Sequence, residues 1–533
     1  MTATDVAALN RQPFTLYMMG ILLYMAVGSL AYGYASAIIG TTLGQPSFYA
    51  YFPVLTTSQG AGLIGTMNGL YFAGGFFGVL CYPLVADRLG RKMAIAVALI
   101  IVTISGAFLA GSVHIAEFIV FRFIAGFGAF PLIIGVPTWA AEIAPPKYRG
   151  AVVEIHALGY CLGYAVQGWI GLGFYFWTEP VAWRVPLAFQ SIFPLFLLGG
   201  LYWLPESPRF LMMKGRTEEA KKILLRVHQK PKEEHSLFVA AEILQISKQI
   251  ELDRQMSASW LDLIRKPSNR KRCLLTAGMT WSISSTGVLV INNYGPIIYK
   301  SLNFSPVEQL LYPAGWSTMT FGINLFVPFY IDRIARNKFA AAGVGGAGLC
   351  LAVFTALIAE YLPTNNTSGL KAAVGMLFIF NFFIAAFLEG IQYAFFSEIW
   401  PNHLRAKGMS FAFANFCVSC ILWLQIAPTA FDNIHWRYYI VFIVISCVMA
   451  VVMWFFYPNT RGMPLEEVAQ LFGDAEDVAV YQRELAAVGD LSALEDTVIY
   501  TSDHLAEEKH QGVHAEVEND GSQRGDTRPA TLV

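Results

Sequence analysis

Twelve nearly uncharged stretches of about 20 residues recur along this chain, and they constrain its fold more than any other feature. They run over 15–40, 61–84, 93–111, 116–140, 150–174, 185–204, 274–298, 310–331, 340–361, 373–397, 408–430 and 436–457. A helix of that length crosses the hydrocarbon core of a bilayer, where only helices and closed barrels satisfy every backbone N–H and C=O. The expectation is an all-α, multi-pass membrane protein of twelve helices. The first stretch has neither the charged lead nor the small-residue cleavage site of a removable signal, so it reads as a retained span.

Charge placement divides the chain. Of 73 charged residues, 24 fall in 205–273 and 21 in 459–533, which leaves 28 for the other 389 residues. That is too sparse to cover a surface in contact with water. The predicted parts are an N-terminal segment 1–14, a six-helix bundle 15–204, a linker 205–273 with short helices, a second bundle 274–458, and a largely disordered acidic tail 459–533. In the linker, Thr217-Glu218-Glu219 reads as a helix start ahead of an apolar stripe of Ile223, Leu224 and Val227. Another short helix is expected at 464–469.

Lysine and arginine alternate between loops. They cluster after spans two (Arg88, Arg91, Lys92), four (Lys147, Arg149), six, eight (Arg333, Arg336, Lys338) and ten (Arg405, Lys407). The loops after spans one and three have none, and those after five, seven, nine and eleven have one each. Positive loops stay inside, so both termini are expected in the cytoplasm. The sequons at Asn303, Asn365 and Asn366 then fall outside, as glycosylation requires.

A formal net charge of -1 with no basic face argues against nucleic acid as a partner. Cys417 and Cys420 form a CxxC, but within an apolar helical run and without a second ligand pair, so no metal is expected. No phosphate-cradling loop and no nucleophile beside a base marks an enzyme, and no cofactor is implied.

The two halves repeat one another. Asp87-Arg88-Leu89-Gly90-Arg91-Lys92 after span two returns as Asp332-Arg333-Ile334-Ala335-Arg336 after span eight. Glu142, Pro145 and Arg149 after span four return as Glu398, Pro401 and Arg405 after span ten. Pro205-Glu206-Ser207-Pro208-Arg209 after span six is answered by Pro458-Asn459-Thr460-Arg461-Gly462 after span twelve. A duplicated six-helix unit with a path between the copies is the layout of a rocking transporter.

Together with Arg122, Gly126 and Gly128 of span four, these motifs resemble the sugar porter family of the major facilitator superfamily, across all twelve spans. Thr41 to Phe48 and Lys407-Gly408-Met409 resemble its fungal members. The resemblance implies alternating access and movement of a small polar solute, often a monosaccharide, through a plasma membrane by facilitation or proton symport. It also implies that Glu142 and Glu398 bridge to the arginines of the Asp87 and Asp332 loops, pairs that set the balance between open and closed states. Ala335, Asn459 and Phe130 depart from the family pattern, and the first two predict a weaker latch in the second half.

Ionisable residues inside spans are functional candidates. They are Arg122, Glu154 and Glu389, with Glu117 at a rim. In proton-coupled members of the family an aspartate follows the Gly-Tyr of span one and faces the span-four arginine; here Ala35 follows Gly33-Tyr34. Facilitation is favoured, with a proton symporter coupled through Glu389 or Glu154 as the alternative.

The family's sugar-contacting set is also replaced, by Ala157, Ile283, Ser284, Leu289, Thr320 and Tyr393 at the corresponding positions, while His156 and Tyr294 match. The candidate solute-binding residues are His156, Ser284, Asn292, Asn293, Tyr294, Thr320, Gln392 and Tyr393. A sugar or related polyol is the favoured solute. An organic acid or other metabolite, and a nutrient receptor that signals without transport, remain open readings.

Overall fold

A computed structural model of the chain describes residues 15–145, 149–228, 239, 243–244, 246–248, 250–251, 259–330, 333–401, 404–461, 468 and 471–473. The N-terminal segment 1–14, Asp332, all of the expected helix at 464–469 but Val468, and the acidic tail beyond 473 lie outside these residues. No strand occurs among the described residues.

Among the described residues fourteen helical segments, grouped as twelve spans, succeed one another: α1 (Leu16–Leu43), α2 (Gly60–Leu89), α3 (Arg91–Gly111), α4 (Ile115–Ile143), α5 (Arg149–Tyr175), α6 (Arg184–Leu201), α7a and α7b (Pro267–Ser284 and Val288–Ser301), α8 (Pro306–Asn324), α9 (Arg336–Tyr361), α10a and α10b (Thr367–Phe387 and Glu389–Ile399), α11 (Arg405–Ile434) and α12 (Tyr438–Phe456). Nine continuous stretches among them are long and apolar enough to cross a bilayer, one of which holds both α11 and α12. α5 and α8 complete the twelve; their Gly, Gln, Thr and Tyr content dilutes the apolar run.

The helices group into two compact units. Leu16–Ser207 and Met256–Val478 form one, which contains every spanning helix. Within it the duplication is visible as packing: α3 against α6 is answered by α9 against α12, α1 against α5 by α7a against α11, and α2 against α4 by α8 against α10a. The halves meet along two equivalent seams, α2 with α11 and α5 with α8. Phe77, Ile100, Phe108, Val444, Val448 and Phe455 point outward and exposed, as lipid-facing side chains do. The second unit includes Pro208–Gln255, where Leu211 and Met212 pack on Ala220 and Leu224 of the helix Thr217–His228, the expected linker helix.

Three boundaries differ from the sequence reading. α7 starts at Pro267 and takes in exposed Arg270 and Lys271 and buried Arg272, because Pro267 at its first position pre-sets a helical φ. α8 stops at Asn324, short of 331, and a brief turn of 3-10 helix at Val327–Phe329 follows around Pro328. Spans seven and ten are each broken. Ser285, Thr286 and Gly287 interrupt α7, with Gly287 at φ +85, a left-handed conformation that a residue with a Cβ resists. Leu388 interrupts α10 at φ -111.

Close helix crossing explains the glycines of span four. A Cβ on Gly126 would run into the backbone of Tyr71 and Gly75 on α2. Phe130, in place of a family glycine, fills space between Tyr32, Tyr71 and Phe72, with ring centroids 5.4, 5.7 and 5.5 Å away. Gly75 makes room for it, since a side chain there would strike the Phe130 ring.

Candidate functional site

The charged motifs gather at one end of each half. Arg91, opening α3, places Nε 3.2 Å from Glu142 Oε2 at the end of α4 and Nη1 3.3 Å from Asp87 Oδ1. Ser207 Oγ donates to the same Glu142 carboxylate. Glu206 Oε1 accepts the backbone N–H of Lys92 at 3.1 Å and of Ser207 at 2.8 Å. Burial pushes the Glu206 carboxyl above its ordinary range, and these two N–H groups pull against that shift.

The second half repeats this arrangement. Arg336 Nη2 lies 2.9 Å from Glu398 Oε1, Thr460 Oγ1 donates to Glu398 Oε2 at 2.6 Å, and Asn459 Oδ1 accepts the Arg336 backbone N–H at 3.1 Å. Asn459 therefore accepts a backbone N–H at the start of α9 as its counterpart Glu206 does at α3, one residue earlier in the motif and without the charge. The expectation of a weaker second latch rests on that lost charge, and Asp332, the counterpart of Asp87, lies outside the described residues. Both latches lie within a half, tying α3 to α4 and α9 to α10b, and neither crosses a seam. Arg88 and Arg333 are exposed beside them, Arg149 and Arg405 open α5 and α11, and Arg209 lies on the helix Pro208–Met213 of the other unit.

Deeper in, a polar and aromatic cluster bridges the halves. Glu389 is the first residue of α10b, where a helix N-terminus favours an acidic group. Its Oε2 accepts from Tyr160 Oη at 2.9 Å and from Cys161 Sγ at 3.2 Å, both on α5 of the opposite half. The Tyr160 and Tyr393 rings are 6.0 Å apart, and His156 lies 5.7 and 5.8 Å from them. His156 Nδ1 shares a 2.7 Å hydrogen bond with Ser29 Oγ of α1, while its buried Nε2 has no partner. Glu154, two residues before His156 on α5, is half-buried.

The α7b candidates sit against α1, where Gly40 lets the backbones approach: a Cβ there would lie 3.2 Å from Asn292 O. Asn292 is half-buried, and Asn293 bonds its own helix at Leu289 O while its Oδ1 is buried without a partner. Other candidates are already engaged. Tyr294 Oη donates to Leu424 O at 2.7 Å, Ser284 Oγ to Thr280 O at 3.0 Å, and Thr320 Oγ1 pairs with Asn381 on α10a at 2.9 Å. Gln392 Nε2 donates to Glu389 O at 3.3 Å.

Arg122 of α4 is 0% exposed. Its Nη1 donates to Ala35 O at 3.3 Å, its Cζ lies 4.2 Å from the centre of the Tyr71 ring, and its Nε and Nη2 have no partner. No carboxylate forms an ion pair with it among the described residues. A cation–π contact contributes about 2 kcal/mol when desolvated, less than the several kcal/mol that removing a lone charge from water costs.

The sequence model of the sugar (and other) transporter family matches residues 21–472. The chain belongs to that family. Among its relatives in this transporter family, the MFS-type transporter criB of Aspergillus cristatus is 30% identical over 468 residues, covering 86% of this chain and 96% of that one. A quinate permease of Neurospora africana is 28% identical over 466 residues, covering 83% and 86%. The partially occluded, inward-open xylose transporter XylE of E. coli has the same fold, with a TM-score of 0.72 at 20% identity over 84% of this chain and 100% of that one. This transporter is an MFS membrane protein and not an enzyme.

Of the candidates proposed from sequence in this transporter, the structure brings His156, Gln392, Tyr393 and Glu389 together and sets Asn292, Asn293 and Tyr294 on a separate helix beside α1. Sequence reasoning missed Tyr160 and Cys161, the donors to Glu389. Their signal was position alone, four and five residues after His156, hence on or near its helix face. It also missed Asn68 and Tyr71 on α2, which no family motif marked. The three sequon asparagines are exposed, and Asn303 Nδ2 bonds Asn365 Oδ1 at 2.8 Å, so the loops after α7b and α9 share an end. Asn366 caps α10a through Ser368 N and Gly369 N.

Proposed function

We propose that this protein moves a small polyhydroxylated ring solute by alternating access, down the solute's gradient, through a path between its two six-helix halves. The observation that carries this reading is the buried cluster of His156, Tyr160 and Tyr393 at the junction of α5 with α10b. Aromatic faces suit the apolar side of a hydroxylated ring, and His156 Nε2 and Asn293 Oδ1 are buried polar atoms awaiting a partner. Quinate and xylose, named for the relatives, are both rings bearing several hydroxyls. The charged loop ends, both termini included, are cytoplasmic in this reading, the sequons are external and glycosylated, and the membrane is the plasma membrane.

Downhill movement is supported by Ala35, which leaves Arg122 without the acid that couples protons in related porters. One observation favours a coupled reading: Glu389 is a buried carboxylate contacted from the opposite half, a position where proton binding would alter the contact between halves. Uptake of labelled quinate, xylose, glucose and myo-inositol into liposomes holding the purified protein tests both. Uptake of at least one solute, unchanged by a protonophore, is expected. Collapse of uptake with the protonophore establishes coupling and makes Glu389→Gln the next variant. Saturable binding without uptake of any of these solutes points to a receptor and overturns transport.

A further inference from the structure

We infer that the solute carries a carboxylate and that Arg122 is the group that receives it. This rests on the transport reading above and narrows its substrate to hydroxylated monocarboxylates.

The geometry is that of a cationic site with no internal anion. Arg122 is wholly buried, contacts one backbone carbonyl, at Ala35, and lies over the Tyr71 ring. That leaves Nε and Nη2, two of the three nitrogens of a planar fork, without acceptors. A carboxylate is the acceptor that fits such a fork with two parallel hydrogen bonds.

The surroundings have the same character. Asn68 stands one helical turn before Tyr71 on α2, so the two share a face. The Asn68 amide faces Tyr294 and the Tyr71 hydroxyl faces Ser36, neither in a hydrogen bond of ordinary geometry, so this wall brings buried polar groups beside the guanidinium. Tyr294 of α7b, from the opposite half, neighbours Asn68 and is close enough to act electrostatically on Arg122. The unpaired groups therefore lie on the line between the halves, where a solute passes in alternating access.

Charge decides the class of ligand. A neutral sugar leaves a buried cation uncompensated, and a phosphate ester brings more negative charge than one guanidinium balances. A monocarboxylate makes the loaded site neutral. Among the described residues no side chain does so in its place: Ala35, whose backbone touches Arg122, has no carboxyl group, and Glu389 is held by Tyr160 and Cys161.

The test uses the full-length protein in liposomes with labelled quinate, and xylose and myo-inositol as neutral counterparts. Quinate is expected to be carried at least tenfold better than either. Arg122→Gln is expected to raise the quinate KM at least tenfold. Ala35→Asp supplies an internal carboxylate beside the guanidinium and is expected to raise the quinate KM equally, while leaving the melting temperature unchanged or higher. That second variant separates a lost binding group from misfolding. If the neutral solutes are carried as well as quinate, or if Ala35→Asp leaves the quinate KM unchanged, Arg122 is not the carboxylate receptor, yet transport stands. If none of the three solutes moves, the transport reading itself fails.

Discussion

Arg122 and Glu389 sit inside the helix bundle, and each is met by neutral dipoles instead of an opposite charge: a carbonyl and a ring face for the first, a phenol and a thiol for the second. Removing a donor from a buried carboxylate costs about 1–3 kcal/mol. Tyr160→Phe is therefore expected to lower stability by that amount, read as a fall in the melting temperature of the purified protein. Cys161→Ala is expected to cost less, because a thiol is a weaker donor. Sequence marked Arg122, Glu154 and Glu389 as charges inside spans and Ala35 as a missing one. It did not reveal that Glu389 answers to α5 while Arg122 meets only a backbone carbonyl and a ring face, since those partners are set by contacts more than 80 residues apart in the chain.

The breaks in α7 and α10 belong to the scale of elements. Gly287 holds φ +85, and a Cβ there would meet the Phe442 ring at 2.9 Å, tighter than ordinary contact. Gly287→Ala is expected to cost about 1 kcal/mol or more, from the left-handed backbone and from that contact. A fall in both melting temperature and uptake rate is the readout, because α7b and its asparagines hang on this hinge. At the start of α9, Asn459 accepts the Arg336 N–H as Glu206 accepts the Lys92 N–H at α3. Asn459→Asp places a negative charge at a helix N-terminus and is expected to add about 0.3–1 kcal/mol, measurable as a rise in melting temperature. Hydropathy located these helices but smoothed over their breaks: Ser284 to Gly287 is polar without being charged, and nothing near Leu388 is a helix breaker except Gly390.

On the scale of the molecule, the two latches lie inside the halves, so in the proposed alternating-access cycle they act on the opening between the halves only through the half that holds each of them. Removing both, with Glu142→Gln and Glu398→Gln, is expected to speed maleimide labelling of buried Cys161 at the junction of the halves. The rate should rise roughly fivefold for each kcal/mol lost from the closed state, and peptide mass spectrometry reads it at that residue. An unchanged rate would show that the latches do not bias opening. The sequence alone determined the spanning helices, their duplication and the places of the loop acids and loop arginines, whose pairing was an implication of the family resemblance. Those follow from apolar length, charge spacing and motif order, all local properties of the chain. Only the tertiary structure decided which polar atoms stay unpaired. The two acceptor-less nitrogens of Arg122, Asn68 and Tyr71 beside it, and the bridge from Glu389 to Tyr160 depend on how helices distant in sequence pack together, because burial and hydrogen bonding are settled by neighbours in space.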